Sequence, residues 1–181
     1  LTLDADGNVI VIGYRGSFPN AQDYVTTKLD TAGNQLWQAV LNGRANRSDI
    51  PIAVVAAPNG DIYVTGASQM EISNFSYEDM LTVKYDAAGN ELWRAAFNGT
   101  GFGADRPVSV ALAANGDVVV LGTTTNAFGT TDFLTLKYTA TGGEVWRAIV
   151  NGSANRNDDA RALVIDSSGN VLVTGESRNA E

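Results

Sequence analysis

Residues 59–66 read NGDIYVTG, and the pattern returns as DGNVIVIG at 6–13, NGDVVVLG at 115–122 and SGNVLVTG at 168–175. The first glycines of these stretches, Gly7, Gly60, Gly116 and Gly169, are spaced by 53, 56 and 53 residues, and Gly13, Gly66, Gly122 and Gly175 keep the same step. A fixed period of this length marks a repeat array in which each unit is one supersecondary structure. A glycine turn followed by an unbroken β-branched run is the pattern of a strand buried on both faces.

Further anchors hold the same register. Trp37, Trp93 and Trp146 recur at steps of 56 and 53, as do Asp23, Asp79 and Asp132, then Lys28, Lys84 and Lys137, then the Asn-Gly pairs at Asn42, Asn98 and Asn151. The three additional residues of the second unit fall between Gly66 and Asp79, in SQMEISNFSYED, so that stretch is expected to be a surface loop. Each unit reads as four strands. The first (IPIAVVAA, PVSVALAA, ARALVIDS) carries small residues at Ala53, Ser109 and Ala162. The second is the run quoted above. The third (YVTTKL, MLTVKY, FLTLKY) alternates polar and apolar residues. The fourth (NQLWQAVLNG, NELWRAAFNG, GEVWRAIVNG) carries the tryptophan. Short glycine-containing turns join them, and no stretch has a 3.6-residue period.

This predicts an all-β fold of four-stranded antiparallel blades, with units at about residues 1–48, 49–104, 105–157 and 158–181. One such unit cannot bury both of its faces, and stacking units about an axis into a β-propeller solves that. A flat solenoid is the alternative. The chain then holds three units and a hairpin of a fourth, and a ring needs either the remaining blades of a parent chain or another copy.

The 181 residues carry 12 Lys and Arg against 20 Asp and Glu, a net charge of −8. Such a surface repels phosphate backbones and anionic lipid, so nucleic-acid partners are not expected. No apolar run reaches the roughly 18 residues of a membrane span, so membrane insertion is not expected either. Cysteine and histidine are both absent. That removes disulfides, thiolate chemistry, the commonest metal ligands and the Ser-His-Asp triad. No cofactor is implied.

At the residues D(Y/M/F)xTxK(Y/L)DxxGxxLWxxxxNG, followed by DxAxxxxxxxxGNVxVTG, the sequence resembles the SBBP repeat, a seven-bladed-propeller repeat of bacterial secreted and surface proteins. The likeness covers nearly the whole chain. The third unit departs from it, with Thr139 where Asp30 and Asp86 stand. The resemblance implies a propeller, an extracellular, cell-surface or periplasmic setting and an interaction role, and it brings no catalytic residues. A weaker likeness to quinoprotein-like propeller repeats rests on DTAGNQLW and DAAGNELW, and implies that the tryptophan docks one blade on the next.

Several residue sets have chemistry to weigh. The tryptophans, each followed two residues on by Ala39, Ala95 or Ala148, share a strand face with a small neighbour, as core indoles do; a sugar-stacking platform is the alternative. Asp4, Asp6 and Asn8 resemble half of a calcium loop, but a strand follows where further ligands are needed, so turn chemistry is expected. Asp23 and Lys28 lie five apart on one strand and face opposite ways, so each is expected to cap a turn or to pair with a neighbouring blade. Glu71 and Glu78 stand in the expected loop of the second unit. The best candidate for ligand binding is the connection from fourth to first strand (NGRANRSD, NGTGFGAD, NGSANRND), with Arg47, Asp49, Asp105, Arg106, Arg156 and Asp158. The sequons at Asn46, Asn74, Asn98 and Asn151 fall mostly in repeated Asn-Gly and Asn-Arg motifs and are read as accidental. A non-catalytic binding or scaffold module for a protein or glycan partner is therefore the expected function. A lectin-type propeller, or the propeller portion of a larger enzyme, is the alternative.

Overall fold

The computed structural model describes residues 1–17, 20–43, 47–72, 75–101 and 103–178. Among these there is no helix; there are fourteen strands. Sheet 1 comprises β1 (Thr2–Leu3), β2 (Val9–Ser17), β3 (Asn20–Leu29) and β4 (Gln35–Leu41). Sheet 2 holds β5 (Asp49–Ala56), β6 (Ile62–Ile72), β7 (Phe75–Tyr85) and β8 (Glu91–Phe97). Sheet 3 holds β9 (Arg106–Leu112), β10 (Val118–Thr125), β11 (Thr131–Tyr138) and β12 (Glu144–Val150). Sheet 4 has two strands, β13 (Asp158–Ile165) and β14 (Val171–Ser177). All pairs are antiparallel between consecutive strands, so each sheet is a simple blade-like meander, and none closes on itself.

The turns follow from their residues. In DADGN the amide of Gly7 donates to the carbonyl of Asp4 and the amide of Asp4 to the carbonyl of Asn8. The same pair of bonds recurs at Asp30–Asn34, Ala57–Asp61, Asp86–Asn90, Ala113–Asp117, Thr139–Gly143 and Asp166–Asn170. The fourth residue of each turn must adopt the left-handed conformation, which glycine enters without steric cost; Gly89 has φ +87°. Where the turn opens on aspartate, its carboxylate replaces missing backbone partners: Asp30 accepts from the amides of Ala32 and Asn34 and from Asn34 Nδ2 at 2.8–2.9 Å.

Gly66, Gly122 and Gly175, which end the second strands, have a different reason. A β-bulge in the adjoining first strand, between Pro51 and Ala53 in sheet 2, drives its backbone against them. A Cβ on these glycines would collide with the carbonyls of Ile50, Arg106 and Asp159 respectively. Gly13 in sheet 1 has nothing within 4 Å, because β1 ends before reaching it.

The sheets stack face to face around three cores. Ile10, Tyr24 and Leu41 of sheet 1 meet Ile62, Val64, Leu81, Val83 and Tyr85 of sheet 2. Tyr63, Met80 and Phe97 on the other face of sheet 2 meet Val118, Val120, Leu134, Leu136 and Tyr138 of sheet 3. Val119 and Leu121 pack on Ala160 and Leu163 of sheet 4. Val118 to Leu121 are wholly buried, so the run is covered on both faces as its composition requires, whereas β12 is exposed throughout.

One expectation fails. The insertion of the second unit is not a loop from Ser68 to Asp79. It lengthens the ladder: Gln69 pairs with Glu78, Met70 with Tyr77, Glu71 with Ser76 and Ile72 with Phe75. Alternation of Met70, Ile72, Phe75 and Tyr77 with polar residues suits a continuing hairpin. Glu71 and Glu78 thus stand on different strands. The Glu71 side chain, like Asn46 and Asn74, lies outside the described residues.

Candidate functional site

The described residues of the connection from fourth to first strand share one bond in three units. Asp49, Asp105 and Asp158 are 0–1% exposed and point inward. Each carboxylate accepts the amide of the glycine six residues before it: Gly43 to Asp49, Gly99 to Asp105 and Gly152 to Asp158, at 2.5–2.6 Å. Asp49 also accepts from Ser68 Oγ at 2.5 Å, and Asp105 from Thr124 Oγ1 at 2.6 Å and the Thr125 amide at 3.0 Å. Asp49 and Asp105 thus tie the connection to the end of the second strand, whereas Asp158 Oδ1 is buried without a hydrogen-bond partner among the described residues. They are loop clasps and offer little to a ligand. The cationic members face outward: Arg47 and Arg156 are exposed, and Arg106 forms an ion pair with Glu78 while its side chain stays 59% exposed.

The clasps are crowded by a second ring of carboxylates. Asp79, at the start of the third strand, is 3% exposed. Burial, and then the nearby charge of Asp105, pushes its carboxyl up to about 6. Burial likewise raises Asp49, with Asp23 adding to it and Ser68 and Gly43 opposing. Asp132 instead accepts from Asn126 Nδ2 at 3.1 Å, and Asp23 faces Arg15 at 3.7 Å. One repeat position therefore holds three aspartates in three different settings.

Beside the second clasp lies a cleft of about 110 Å³. Its polar lining comes from Asn98, Thr124, Thr125, Asn126, Asp132 and Arg147, over an apolar floor of Phe97 and Ile149. Arg147 stacks on the Phe97 ring at 5.2 Å and holds Glu144 through two hydrogen bonds. Adjacent donors, acceptors and a short apolar surface are what a hydroxylated ligand engages. The sequence signal for this cleft was faint, because its residues come from four separate strands and their connections.

The lysines hold turns, and one of them also reaches the neighbouring sheet. Lys28, Lys84 and Lys137 each reach the first turn of their own sheet, pairing with Asp4, Asp61 and Asp117 at 2.8, 2.7 and 3.0 Å. The aspartate opens the turn in unit 1 and closes it in units 2 and 3, yet it meets the same lysine. Lys84 also crosses to the next sheet, donating to the Ala140 carbonyl at 3.0 Å. Burial works against the Asp4 charge, but Lys28 and Asn8 outweigh it and hold the carboxyl at about 2. Asp4 is thus occupied by Lys28, the Asp6 and Asn8 amides and Asn8 Nδ2. No group of three or more acidic side chains that could hold a metal occurs among the described residues.

The tryptophans form joints between sheets. Trp37 Nε1 donates to the Ala87 carbonyl and Trp93 Nε1 to the Ala140 carbonyl, both at 3.0 Å and both in the turn between third and fourth strands of the next sheet. Each indole lies over the glycine of that turn. A Cβ on Gly89 would stand 2.7 Å from Trp37 Cδ2, and one on Gly142 2.8 Å from Trp93 Cδ2. Tyr85 flanks Trp37 at 6.2 Å; Tyr63 and Tyr138 flank Trp93 at 5.9 and 6.1 Å. Trp146 has no ring contact or indole hydrogen bond among the described residues and is 36% exposed.

A solved structure of a protein of unknown function from Bacteroides caccae is similar in fold, with a TM-score of 0.50 at 12% identity over 91% of this chain. The chain spans 53% of that protein's length. No protein-family model matches the sequence, and no curated protein matches it significantly.

Proposed function

We propose that the chain is a section of a β-propeller of the SBBP-repeat kind, and that it serves as a non-catalytic binding or scaffold module for a protein or glycan partner on a secreted or cell-surface bacterial protein. The observation that carries this reading is the threefold clasp. Three equivalent connections each have a glycine amide held by a buried aspartate, so their arginines and asparagines sit on repeated mounts. Repeated loops suit multivalent recognition, and Asp49 and Asp105 are occupied in holding them.

The cleft at Asn98, Asn126, Asp132 and Arg147 favours a glycan ligand, since its polar groups converge over the Phe97 and Ile149 surface. A glycan array probed with the chain tests this: saturable binding that Asn126→Ala removes is expected. Binding that survives the substitution would move the site elsewhere. Turnover of a bound glycan would overturn the non-catalytic reading.

A further inference from the structure

We infer that the cleft between sheets 2 and 3 is an ammonium subsite, which takes the protonated amino group of an amino sugar and turns acidic sugars away; this deepens the glycan reading of the same cleft and rests on it. The donors along the cleft are already engaged inside the protein. The Gly99 amide goes to Asp105 Oδ2 at 2.6 Å. Thr124 gives its hydroxyl hydrogen to Asp105 Oδ1 at 2.6 Å, and the Thr125 amide goes to the same oxygen at 3.0 Å. The Thr125 hydroxyl donates to the Ala104 carbonyl at 2.8 Å. Asn126 Nδ2 divides its hydrogens between Thr130 Oγ1 at 2.7 Å and the Asp132 carboxylate at 3.1 and 3.2 Å. Arg147 turns Nε and Nη2 onto Glu144 at 2.7 and 2.8 Å. Acceptor positions are left over, because a carboxylate offers about four lone-pair sites and a hydroxyl about two. A ligand suited to this lining must therefore bring hydrogens.

Charge points the same way. Asp132 lines the cleft and is 4% exposed, and Asp105 stands behind it at 1%. Among the described residues no lysine or arginine pairs with either: Arg106 is held by Glu78, and Arg147, the cation of the lining, is balanced by Glu144. Two buried carboxylates without a cation leave the local field negative, and burial reduces the screening that would weaken it. An ammonium group brings three donors and one positive charge, whereas a carboxylated or sulfated sugar brings acceptors and a like charge. The volume of about 110 Å³ admits the amino group and the ring edge that carries it, with the Phe97 and Ile149 surface meeting the ring carbons. The spare lone pairs of the Thr124 and Thr125 hydroxyls suit the sugar hydroxyls beside the amine, which a lysine side chain lacks.

The test titrates the isotope-labelled chain at mildly acidic pH and reads the Gly99 and Thr125 amides by NMR. Three trisaccharides are compared: a β-1,4-linked glucosamine trimer with free amines, its fully N-acetylated form, and trigalacturonate. Saturable shifts are expected with the free amine, at least tenfold tighter than with the acetylated form, whose amide carries no charge. Trigalacturonate is expected not to saturate. The preference should vanish at alkaline pH, where the sugar amine is neutral, and should fall below twofold in Asp132→Asn. The ligand series on the parent chain decides the question if that variant does not fold. Equal or tighter binding of the acetylated or acidic trimer, removed by Asn126→Ala, would overturn the ammonium subsite and leave the glycan reading standing. Shifts with methylammonium but with no sugar would overturn both, and would assign the cleft to a lysine side chain of a protein partner.

Discussion

Replacing Trp93 by alanine tests whether the sheets are joined by indole-on-turn contacts. The side chain loses two aromatic contacts, with Tyr63 and Tyr138, each worth roughly 0.5–1.5 kcal/mol. It loses the hydrogen bond to Ala140, worth about 0.5–1.5 kcal/mol net. Core Trp→Ala substitutions cost about 3–5 kcal/mol in all. One edge of Trp93 reaches the surface, which places its cost near the low end, at about 3–4 kcal/mol. For a chain of this size that lowers the melting temperature by about 8–12 °C. Trp37→Ala, with one aromatic contact fewer, is expected to cost about 1 kcal/mol less. Trp146→Ala is expected to cost under about 1 kcal/mol, because no joint exists there to lose. Thermal melts of the three variants by circular dichroism provide the comparison. Equal losses at Trp93 and Trp146 would refute the joint, since Trp93 alone of the two holds the turn and the tyrosine ring of a neighbouring sheet.

Gly89→Ala and Gly33→Ala both place a side chain at φ +87°, but only the first meets an indole; urea melts are expected to show a clearly larger loss at Gly89. Asp79→Asn should stabilise at neutral pH. A carboxyl raised from 3.8 to about 6 loses folding free energy as pH rises through that window, by up to about 3 kcal/mol at pH 7. The advantage of the variant over the parent should vanish near pH 4, and a constant difference across pH 4–7 would contradict the cause assigned. Asp4 acts in the opposite sense: its carboxyl is held at about 2, so its contribution is present above pH 3.8 and is lost as pH falls toward 2. Lys84→Met removes the cation from the half-buried Asp61 carboxylate, while the Ala140 carbonyl keeps its bond from Trp93 Nε1, and should destabilise by about 3 kcal/mol in equilibrium unfolding. Calcium or EDTA should leave the melting temperature unchanged, since calcium wants six or more oxygens and the Asp4 carboxylate is already engaged; a rise of several degrees would contradict that assignment.

The strands were readable because turn glycines and β-branched runs are local signals. The period gave the four-strand unit because every anchor repeats in step. The spacing also put the tryptophans and their alanines on one face, although the receiving turn, 50 residues on for Trp37, was not visible from the indole itself. What escaped depends on register. Lys28 meets Asp4, 24 residues before it, only because β2 and β3 pair Ile10 with Lys28. The lysine's partner was hard to see because the aspartate changes place within the turn, from Asp4 to Asp61 and Asp117. The insertion misled for a related reason: three extra residues in a connection lengthen a hairpin when the added residues alternate. The Asn98–Asp132 cleft lies between two sheets, and no single stretch of sequence describes it.

Hydrogen exchange measured by mass spectrometry on the intact chain tests the stacked-sheet account most directly. Protection in stacked repeats follows the number of covered faces. The account predicts slowest exchange in residues 62–68 and 118–124, covered by a sheet on each face, and fast exchange in residues 171–177, whose edge and Trp146 side are open. Equal protection of β14 and β10 in the monomeric chain would contradict it.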